Sequence, residues 1–464
     1  MCGGGLGFGV VAGAFPCAGV ERGVLLLGLF LPRNRTENGR TPVPTITADA
    51  LKRMLHLPAN VVTGTPRVEK DPHGGDVAVV PARPYAGDMG RCARCGRRGR
   101  PYDRLGMRRW RHLDVGCVKL LLEYAPRRVD CEEHGVTVEM VPWAGRKSAY
   151  TRDFERQVAW LSVHAPRSAV SSLMRVDRKS VGPVCRRVAD GLRAGQGPGL
   201  FDGLRSIGVD ETSYKKGHTY MSVVVDHERG RVVWMRDGHG EKVFDLFFQA
   251  LTPAQRESIA VVTGDGARWI DECVFRWCPT AERILDGFHI VSWARDALDK
   301  ARTAAWREAR KAGAAEKGAR DPIKGARWAL LKNGADLTAG QRARLECVAN
   351  TNESLWRAYK LKERLRMILR QSPGEAAPLL RQWAADAFLS GIPGFVPLGE
   401  KIARRRFDIL RTIRSGLSNA RLEAVNNRIK TTIRMGYGYR NLDNLIALVM
   451  LKCGRLNLKL PGRQ

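Results

Sequence analysis

The residues whose types and spacing could do chemistry begin with two aspartates. The stretch IGVDETSYKKGHTYMSVVVDHERGRVVWMR at 207–236 reads as three short strands: an apolar run ending in Asp210-Glu211, then 220–225, then 232–235. The breaks, KKGH and DHERG, are polar and carry the glycine that tight hairpin turns use. EKVFDLFFQAL follows with helical spacing, and a fourth strand, IAVVTGDG, ends on Asp265. Carboxylates from neighbouring strands offer hard oxygen ligands, which suit Mg²⁺ or Mn²⁺. A site of that kind is expected to serve metal-dependent attack on DNA phosphodiesters. Glu211 competes with Asp210 as ligand. A helix over ARWIDECVFRW and a fifth strand, AERILDGFHI, bring Asp286 and His289, and Asp286 competes with Asp265.

A second set of ligands is softer. Cys92 and Cys95 form a C-x2-C knuckle followed by glycine, and Cys131 and His134 a C-x2-H knuckle followed by another. Three thiolates and an imidazole fit a tetrahedral structural Zn²⁺. Cys117, in the strand-like sequence between the knuckles, reads as a buried small hydrophobe. Nine arginines crowd the same segment: Arg91, Arg94, Arg97, Arg98, Arg100, Arg104, Arg108, Arg109 and Arg111. A metal-stapled ribbon with that density of guanidinium reads as a phosphate-contacting module.

The elements that must position these groups follow in order. ITADALKRMLHL at 46–57 is the first helix. TRDFERQVAWLSVH, SAVSSLMRV and RKSVGPVCRRVADGL, the last capped by Asp177, give the helix-turn-helix pattern, against which Pro183 counts. Arg178, Lys179 and Arg186 on the third helix are candidate DNA contacts. GQGPGL at 195–200 reads as a linker. From 290 to about 415 the sequence is helical and basic, too long for a loop, so it is an all-α insertion into the α/β core. SNARLEAVNNRIKTTIRMGYGYRN at 418–441 starts at Ser418 as N-cap and runs as a helix with Glu423, Asn427 and Lys430 on one face. GYGYRN breaks it.

Composition bounds the partners. Lys plus Arg number 78 and Asp plus Glu 47, so 78 − 47 gives +31, which points to a polyanion. Eleven cysteines in 464 residues, some at metal spacing, fit a reducing cytoplasm rather than a disulfide scaffold. The longest unbroken apolar piece, GVLLLGLFL at 23–31, is short of the roughly 20 residues of a membrane span. Residues 1–45 read as a disordered extension or the product of a start codon placed too far upstream.

The ordered set CARCG, the C-x2-HG knuckle with VPWA after it, GVDE, DGFH, and the block from SNARLE to GYGYRN resembles the DDE transposases of bacterial insertion sequences, specifically the ISL-three family, over about residues 50–455. The resemblance implies an α/β fold with a ribonuclease H-like catalytic core carrying an inserted all-α domain, preceded by a small zinc ribbon and a helix-turn-helix domain. The implied boundaries are 46–145 for the zinc ribbon, 146–198 for the helix-turn-helix, 199–290 and 416–464 for the core, and 291–415 for the insertion. It implies a catalytic and Mg²⁺-binding triad of Asp210, Asp265 and Glu423, with Asp286 and His289 in support. Asp265 is preferred over Asp286 because the strand after the first helix adjoins the first strand in that fold. Three carboxylates would hold two Mg²⁺ (or Mn²⁺) ions for strand cleavage and strand transfer by in-line displacement. Lys430 and Arg434 become candidate phosphate contacts, alongside Arg97, Arg98, Arg108 and Arg109. The implied partners are transposon-end and target double-stranded DNA and a second copy in a synaptic dimer or larger assembly, in the bacterial cytoplasm. His134 departs from the family's commoner all-Cys knuckle. Two other readings compete: a zinc-ribbon and helix-turn-helix regulator without catalysis, and a ribonuclease H-like nuclease that cuts without joining.

Overall fold

The computed structural model describes residues 47–463 except positions 73, 216, 218, 312–321, 417–419 and 437. The expected extension at 1–45 and the Ser418 cap lie outside the described residues. Contacts divide the chain into two compact units, one running through Leu161 together with 458–464, the other spanning 162–457.

In the first unit, α1 (Ala48–Met54) starts where the Thr47 hydroxyl accepts from the Ala50 amide. The strands are β1 (Val61–Thr63), β2 (Arg67–Lys70), β3 (Asp76–Pro84), β4 (Arg100–Arg104), β5 (Arg108–Val115), β6 (Val118–Tyr124), β7 (Arg127–Cys131) and β8 (Gly135–Val138). They make two sheets: β1-β3-β6-β5 with β2 on β3, and a smaller β4-β7-β8. The larger sheet buries Leu120, Leu122 and Trp110, whose ring meets Trp143 edge-on at 5.6 Å. The intervening sequence is not one strand. Gly116 (φ +59) and Cys117 form the hairpin turn between β5 and β6, so Cys117 is exposed rather than buried. Helix α2 (Arg152–His164) follows.

The second unit opens with α3 (Arg167–Met174) and α4 (Arg178–Gln196). The left-handed Arg175 ends α3, and the Asp177 carboxylate accepts from the Lys179 amide at 2.7 Å to start α4, as the sequence predicts. Helix α4 passes through Pro183 unbroken. Val181, Val184, Cys185, Val188 and Ala189 recur at helical spacing on its buried side while Pro183 faces solvent, so the proline costs one backbone hydrogen bond and no packing. The expected linker at 195–200 is structured: α4 continues to Gln196 and one 3₁₀ turn covers Gly197–Phe201, with Leu200 buried.

The central sheet joins β9 (Ser206–Lys215), β10 (Thr219–Asp226), β11 (Arg231–Asp237), β12 (Val261–Gly264) and β13 (Glu282–Leu285) in the order β11-β10-β9-β12-β13. The hairpins β9–β10 and β10–β11 are antiparallel, whereas β12 runs parallel to both β9 and β13. Helices α5 (Glu241–Gln249), α6 (Pro253–Glu257) and α7 (Arg268–Trp277) connect β11, β12 and β13. Ile207 and Val209 alternate into an aromatic core with Phe244, Phe247 and Phe248 of α5. Alternation then turns Asp210 and Thr212 to the opposite face.

Two boundaries differ from expectation. Strand β9 runs on to Lys215, because β10 pairs with it along its whole length, so Asp210 lies within the strand and not at its end. Strand β13 stops at Leu285, and GFHI opens α8 (Gly287–Lys311): the Asp286 carboxylate accepts from the Phe288 amide at 2.9 Å and starts the helix.

The helical insertion continues through α9 (Pro322–Gly325), α10 (Arg327–Leu331), α11 (Ala339–Thr351), α12 (Glu353–Ile368), α13 (Pro373–Leu389), α14 (Val396–Arg404) and α15 (Arg406–Ser415). Its core, with Leu365, Trp383 and Phe395 fully buried, takes in Leu285 and Ile290, so it grows directly out of the end of β13. The chain returns through α16 (Ala420–Met435), which packs on β9, and α17 (Leu442–Cys453), which packs on β11 and α4.

Candidate active site and zinc knuckle

Strand register alone lines up three aspartates. Gly208 pairs with Thr263 across β9 and β12, so two residues on, Asp210 stands level with Asp265. Gly264 pairs with Leu285 across β12 and β13, so Asp265 stands level with Asp286. The three carboxylates sit at adjacent strands, about 4.8 Å apart per strand, where the parallel strands β12 and β13 give way to loop and helix. Crevices outside the carboxyl ends of parallel strands are where α/β sheets bind ligands.

Each aspartate is fixed differently. Asp210 Oδ1 accepts from the Glu211 amide at 2.8 Å, and Oδ2 accepts from the Asn426 side chain of α16. Asp265 Oδ1 accepts from the Ala267 amide at 3.0 Å. Asp286, 7% exposed, holds the His289 ring through Oδ2–Nδ1 at 2.8 Å. Glu211 points the other way along β9, and its carboxylate accepts from the Gly240 amide at 2.8 Å. Burial pushes the Asp210 carboxyl up from its ordinary value, and the Asp265 charge adds to that against the Glu211 amide, His289 and Asn426. His289 is also raised, first by its bond to Asp286 and further by the charges of Asp210 and Asp265. These mutual effects place Asp210, Asp265, Asp286 and His289 in one electrostatic neighbourhood.

Glu423 is not gathered with them. Its side chain is exposed on α16, as are Asn427 and Lys430, the face marked by sequence spacing. The buried face of α16 is Val425, Asn426, Ile429 and Thr432. Asn426 was missed. An ionised carboxylate only accepts, so the Asn426 amide NH₂ faces Asp210 while its Oδ1 accepts from the Thr212 hydroxyl at 3.0 Å. The sequence spacing from Glu423 points instead to the neighbouring Asn427, which is exposed. The signal that distinguishes Asn426 is its i, i+3 spacing to the apolar Ile429. Arg283 was missed as well. It is buried, and its guanidinium donates to the backbone carbonyls of Gly264, Asp265 and Ile284 while bridging to Asp271 at 3.1 Å, which fixes the loop carrying Asp265.

In the first unit the knuckles converge. Cys92, Cys95, Cys131 and His134 offer ligand atoms that all lie within 4.8 Å of one another, and among the described residues no other group of three or more His, Cys, Asp or Glu does so. The Cys95–Cys131 sulfurs are 3.6 Å apart, and His134 Nδ1 is 3.8 Å from Cys131 Sγ and 3.9 Å from Cys92 Sγ. Ligands at about 2.3 Å from a tetrahedral Zn²⁺ stand about 3.8 Å from one another, so the cluster has the size of that polyhedron. Gly96 (φ +73) and Gly135 (φ +61) adopt the left-handed conformation after each knuckle. Burial resists ionisation of the Cys92 thiol, yet the Cys95 and Arg94 amides and the adjacent thiols hold it below its ordinary value. His134 lowers Cys131 in the same way. Thiols held low are ready to lose their protons to a metal.

The candidate DNA contacts are spread over both units. Arg109 is paired with Glu69 and Glu123, Arg97 with Glu133, and Arg186 with Asp443 at 2.8 Å. Arg98 donates to the Gly87 carbonyl, and Arg108 donates to the Ser148 carbonyl while lying over the Trp110 ring. Arg178, Lys179, Lys430 and Arg434 are exposed.

The pattern defining the transposases of the ISL3 family matches residues 207–449, which begins in β9 and ends in α17. The chain belongs to that family. The helix-turn-helix domain of ISL3-family transposases matches residues 139–189. The transposase for insertion sequence element IS1557 of Mycobacterium tuberculosis is 40% identical over 414 residues, 85% of this chain and 93% of that protein, in two strains. The transposase for insertion sequence element IS1001 of Bordetella parapertussis is 28% identical over 383 residues, 82% of this chain and 92% of its own. An insertion-sequence transposase of the ISL3 family, with helix-turn-helix and DDE transposase domains, accounts for the line of aspartates and for the basic excess. Among the described residues, no helix is long and apolar enough to cross a membrane.

Proposed function

We propose that the central sheet is a ribonuclease H-like core and that Asp210, Asp265 and Glu423 are its catalytic carboxylates, acting on the ends of an insertion sequence to cut and join DNA. The observation that supports this most is the register that sets Asp210 level with Asp265, with α16 docked on the same face of β9 through Asn426. Glu423 lies one turn before Asn426 on α16, so it is carried on the helix that this contact anchors to β9, and its exposed carboxylate would have to turn inward to complete the set.

The donor set fits hard divalent cations. Its candidate ligands are carboxylate oxygens, and burial, with the Asp265 charge adding to it, makes the ionised form of Asp210 costly, a cost that a bound cation would offset. Asp210, Asp265 and Glu423 would hold Mg²⁺ or Mn²⁺, in the manner of a two-metal site. When bound, such ions lower the pKa of water or of a 3′-hydroxyl and stabilise the leaving oxygen of an in-line displacement. The protein's own part is positional. Arg283 immobilises the Asp265 loop, Asn426 orients Asp210, and the Asp286–His289 pair offers the phosphate an imidazole whose pKa its carboxylate partner raises.

The remaining assignments follow the same logic. Cys92, Cys95, Cys131 and His134 hold a structural Zn²⁺. The domains run 46–145 (zinc ribbon), 146–198 (helix-turn-helix), 199–290 with 416–464 (core) and 291–415 (insertion). Exposed Arg178 and Lys179 at the start of α4, with Lys430 and Arg434 on α16, contact DNA phosphates, and Arg97, Arg98, Arg108, Arg109 and Arg186 do so on exchanging their present partners. The protein acts in the bacterial cytoplasm as a synaptic dimer or larger assembly.

The test is cleavage and joining of a labelled duplex carrying the element's end, with Mg²⁺, comparing wild type with Asp265→Ala. Wild type cuts and joins; the variant binds the duplex and does neither. Undiminished activity in Asp265→Ala would transfer the second ligand role to Asp286. Binding without cleavage by both proteins would favour the regulator.

A further inference from the structure

The helical insertion carries a cation to the edge of the aspartate cluster. Lys401 lies on α14, and its Nζ stands 3.4 Å from the centroid of the Trp293 ring. Trp293 is one turn beyond His289 on α8, so ring and imidazole share a helix face. The ring also packs on the backbone next to Asp265: a Cβ added at Gly266 would fall 2.6 Å from Trp293 Cζ2. Four residues after Lys401, Arg405 donates to the Gly266 carbonyl at 3.2 Å and pairs with Asp271 at 2.6 Å. One turn beyond Lys401 is thereby fixed to the loop that carries Asp265, across 139 residues of sequence.

That placement is expensive for a lysine. Burial lowers the Lys401 ammonium below its ordinary value, with Arg405 and Arg404 adding to this and Asp265 opposing it. A cation over an indole is attracted to the ring face, but the ring satisfies none of the three N–H donors in a directed way. Among the described residues the Trp293 ring is the one contact of the ammonium, with no hydrogen-bond or ion-pair partner beside it. A fixed, partly desolvated cation with donors to spare, beside carboxylates that attract metal ions, is complementary to a phosphodiester oxygen.

On the reading of the aspartates given above, we infer that Lys401, held by Trp293, is a substrate-contacting residue that binds a DNA phosphate flanking the cleaved bond. The helical insertion thus completes the active site.

The experiment uses full-length protein and a duplex carrying the element's end, in which phosphates around the cleaved bond are replaced one at a time by neutral methylphosphonates. Binding is measured without divalent ions as a function of salt, and cleavage with Mg²⁺. Lys401→Met keeps the stem on Trp293 and removes the charge. Its salt slope, log K against log [salt], falls by about 1, the loss expected for one phosphate contact. One methylphosphonate lowers the wild-type slope by the same amount and leaves Lys401→Met unaffected. Cleavage by Lys401→Met drops at least tenfold, and Lys401→Arg restores most of it. A Lys401→Met protein with wild-type slope, equally sensitive to every neutral linkage, would overturn the inference. Failure of the underlying reading looks different, since Asp265→Ala would then cleave as wild type does.

Discussion

Asn426 shows how one side chain ties a helix to a strand at the point where chemistry is expected. Its amide spans Asp210 and Thr212, both on the face of β9 opposite the aromatic core. The site accepts only a group that donates on one side and accepts on the other, so Asn426→Asp sets a second carboxylate against one already resisting charge. The burial that raises Asp210 makes its charged form the costly one. A carboxyl with a raised folded pKa loses its stability contribution as pH rises through that value. Asn426→Asp is therefore expected to be close to wild type in stability at pH 5 and markedly less stable at pH 8, by about 1–3 kcal/mol. Urea denaturation of the metal-free protein at the two pH values measures this, and an equal deficit at both would count against the clamp. Added Mg²⁺ narrows the deficit at pH 8, because a cation between the carboxylates removes their repulsion.

At the scale of elements, α4 carries an apolar stripe interrupted by a glycine that has a reason to be there. A Cβ at Gly182 would lie 2.6 Å from the Asn444 amide nitrogen, so any side chain there must displace Asn444 of α17. Arg186 reinforces the contact through Asp443. Gly182→Val is expected to lose about 1–3 kcal/mol through overpacking, although valine packs adequately in many helices. Pro183→Ala, one residue away on the solvent side, regains a helix bond and is expected to be as stable as wild type or more so. Thermal melting of the two variants decides, and a harmless Gly182→Val would mean the helices part without cost. The two positions also show what a sequence can convey. Val181, Val184, Cys185 and Val188 announce the helix by their spacing, and Asp177 announces its start. Pro183 counts against the helix only while its facing is unknown. The strands of the central sheet were legible for the same local reasons, and so was Asp265 at the end of β12. What was not legible lies either in where a strand gives way to a cap or a turn, or in contacts between distant segments. The end of β13 at Leu285 depends on the Asp286 cap, the exposure of Cys117 on a turn, and the contact of Lys401 with Trp293 on a fold-back of more than a hundred residues. Glu423 was legible from its motif, but its exposed position on α16 was not.

The whole chain carries +31, yet its two compact units are built on different principles. The unit from 162 to 457 has large apolar cores, one in the insertion and one under the sheet. In the first unit, the small sheet β4-β7-β8 has only Cys92, Val129 and Cys131 as its buried cluster, with Cys95 packed against them. Three buried side chains give a hydrophobic contribution too small to order a three-stranded sheet, since a fully buried side chain of this kind contributes about 1.5–3 kcal/mol. A metal at Cys92, Cys95, Cys131 and His134 would supply the missing stability, because binding free energy at a site that exists only in the folded state is folding free energy. Chelation is therefore expected to remove one zinc per chain, measured by mass spectrometry, and to abolish hydrogen-exchange protection in β4, β7 and β8. Protection in β9–β13 stays as it was. Cys131→Ser reproduces the loss without a chelator. Because ligation requires thiolates and neutral imidazole, zinc is retained at pH 8 under conditions that strip it at pH 5. Full protection of β7 and β8 in the zinc-free protein would show that the small sheet needs no metal, and the arginines arrayed on it would then owe their order to the protein alone.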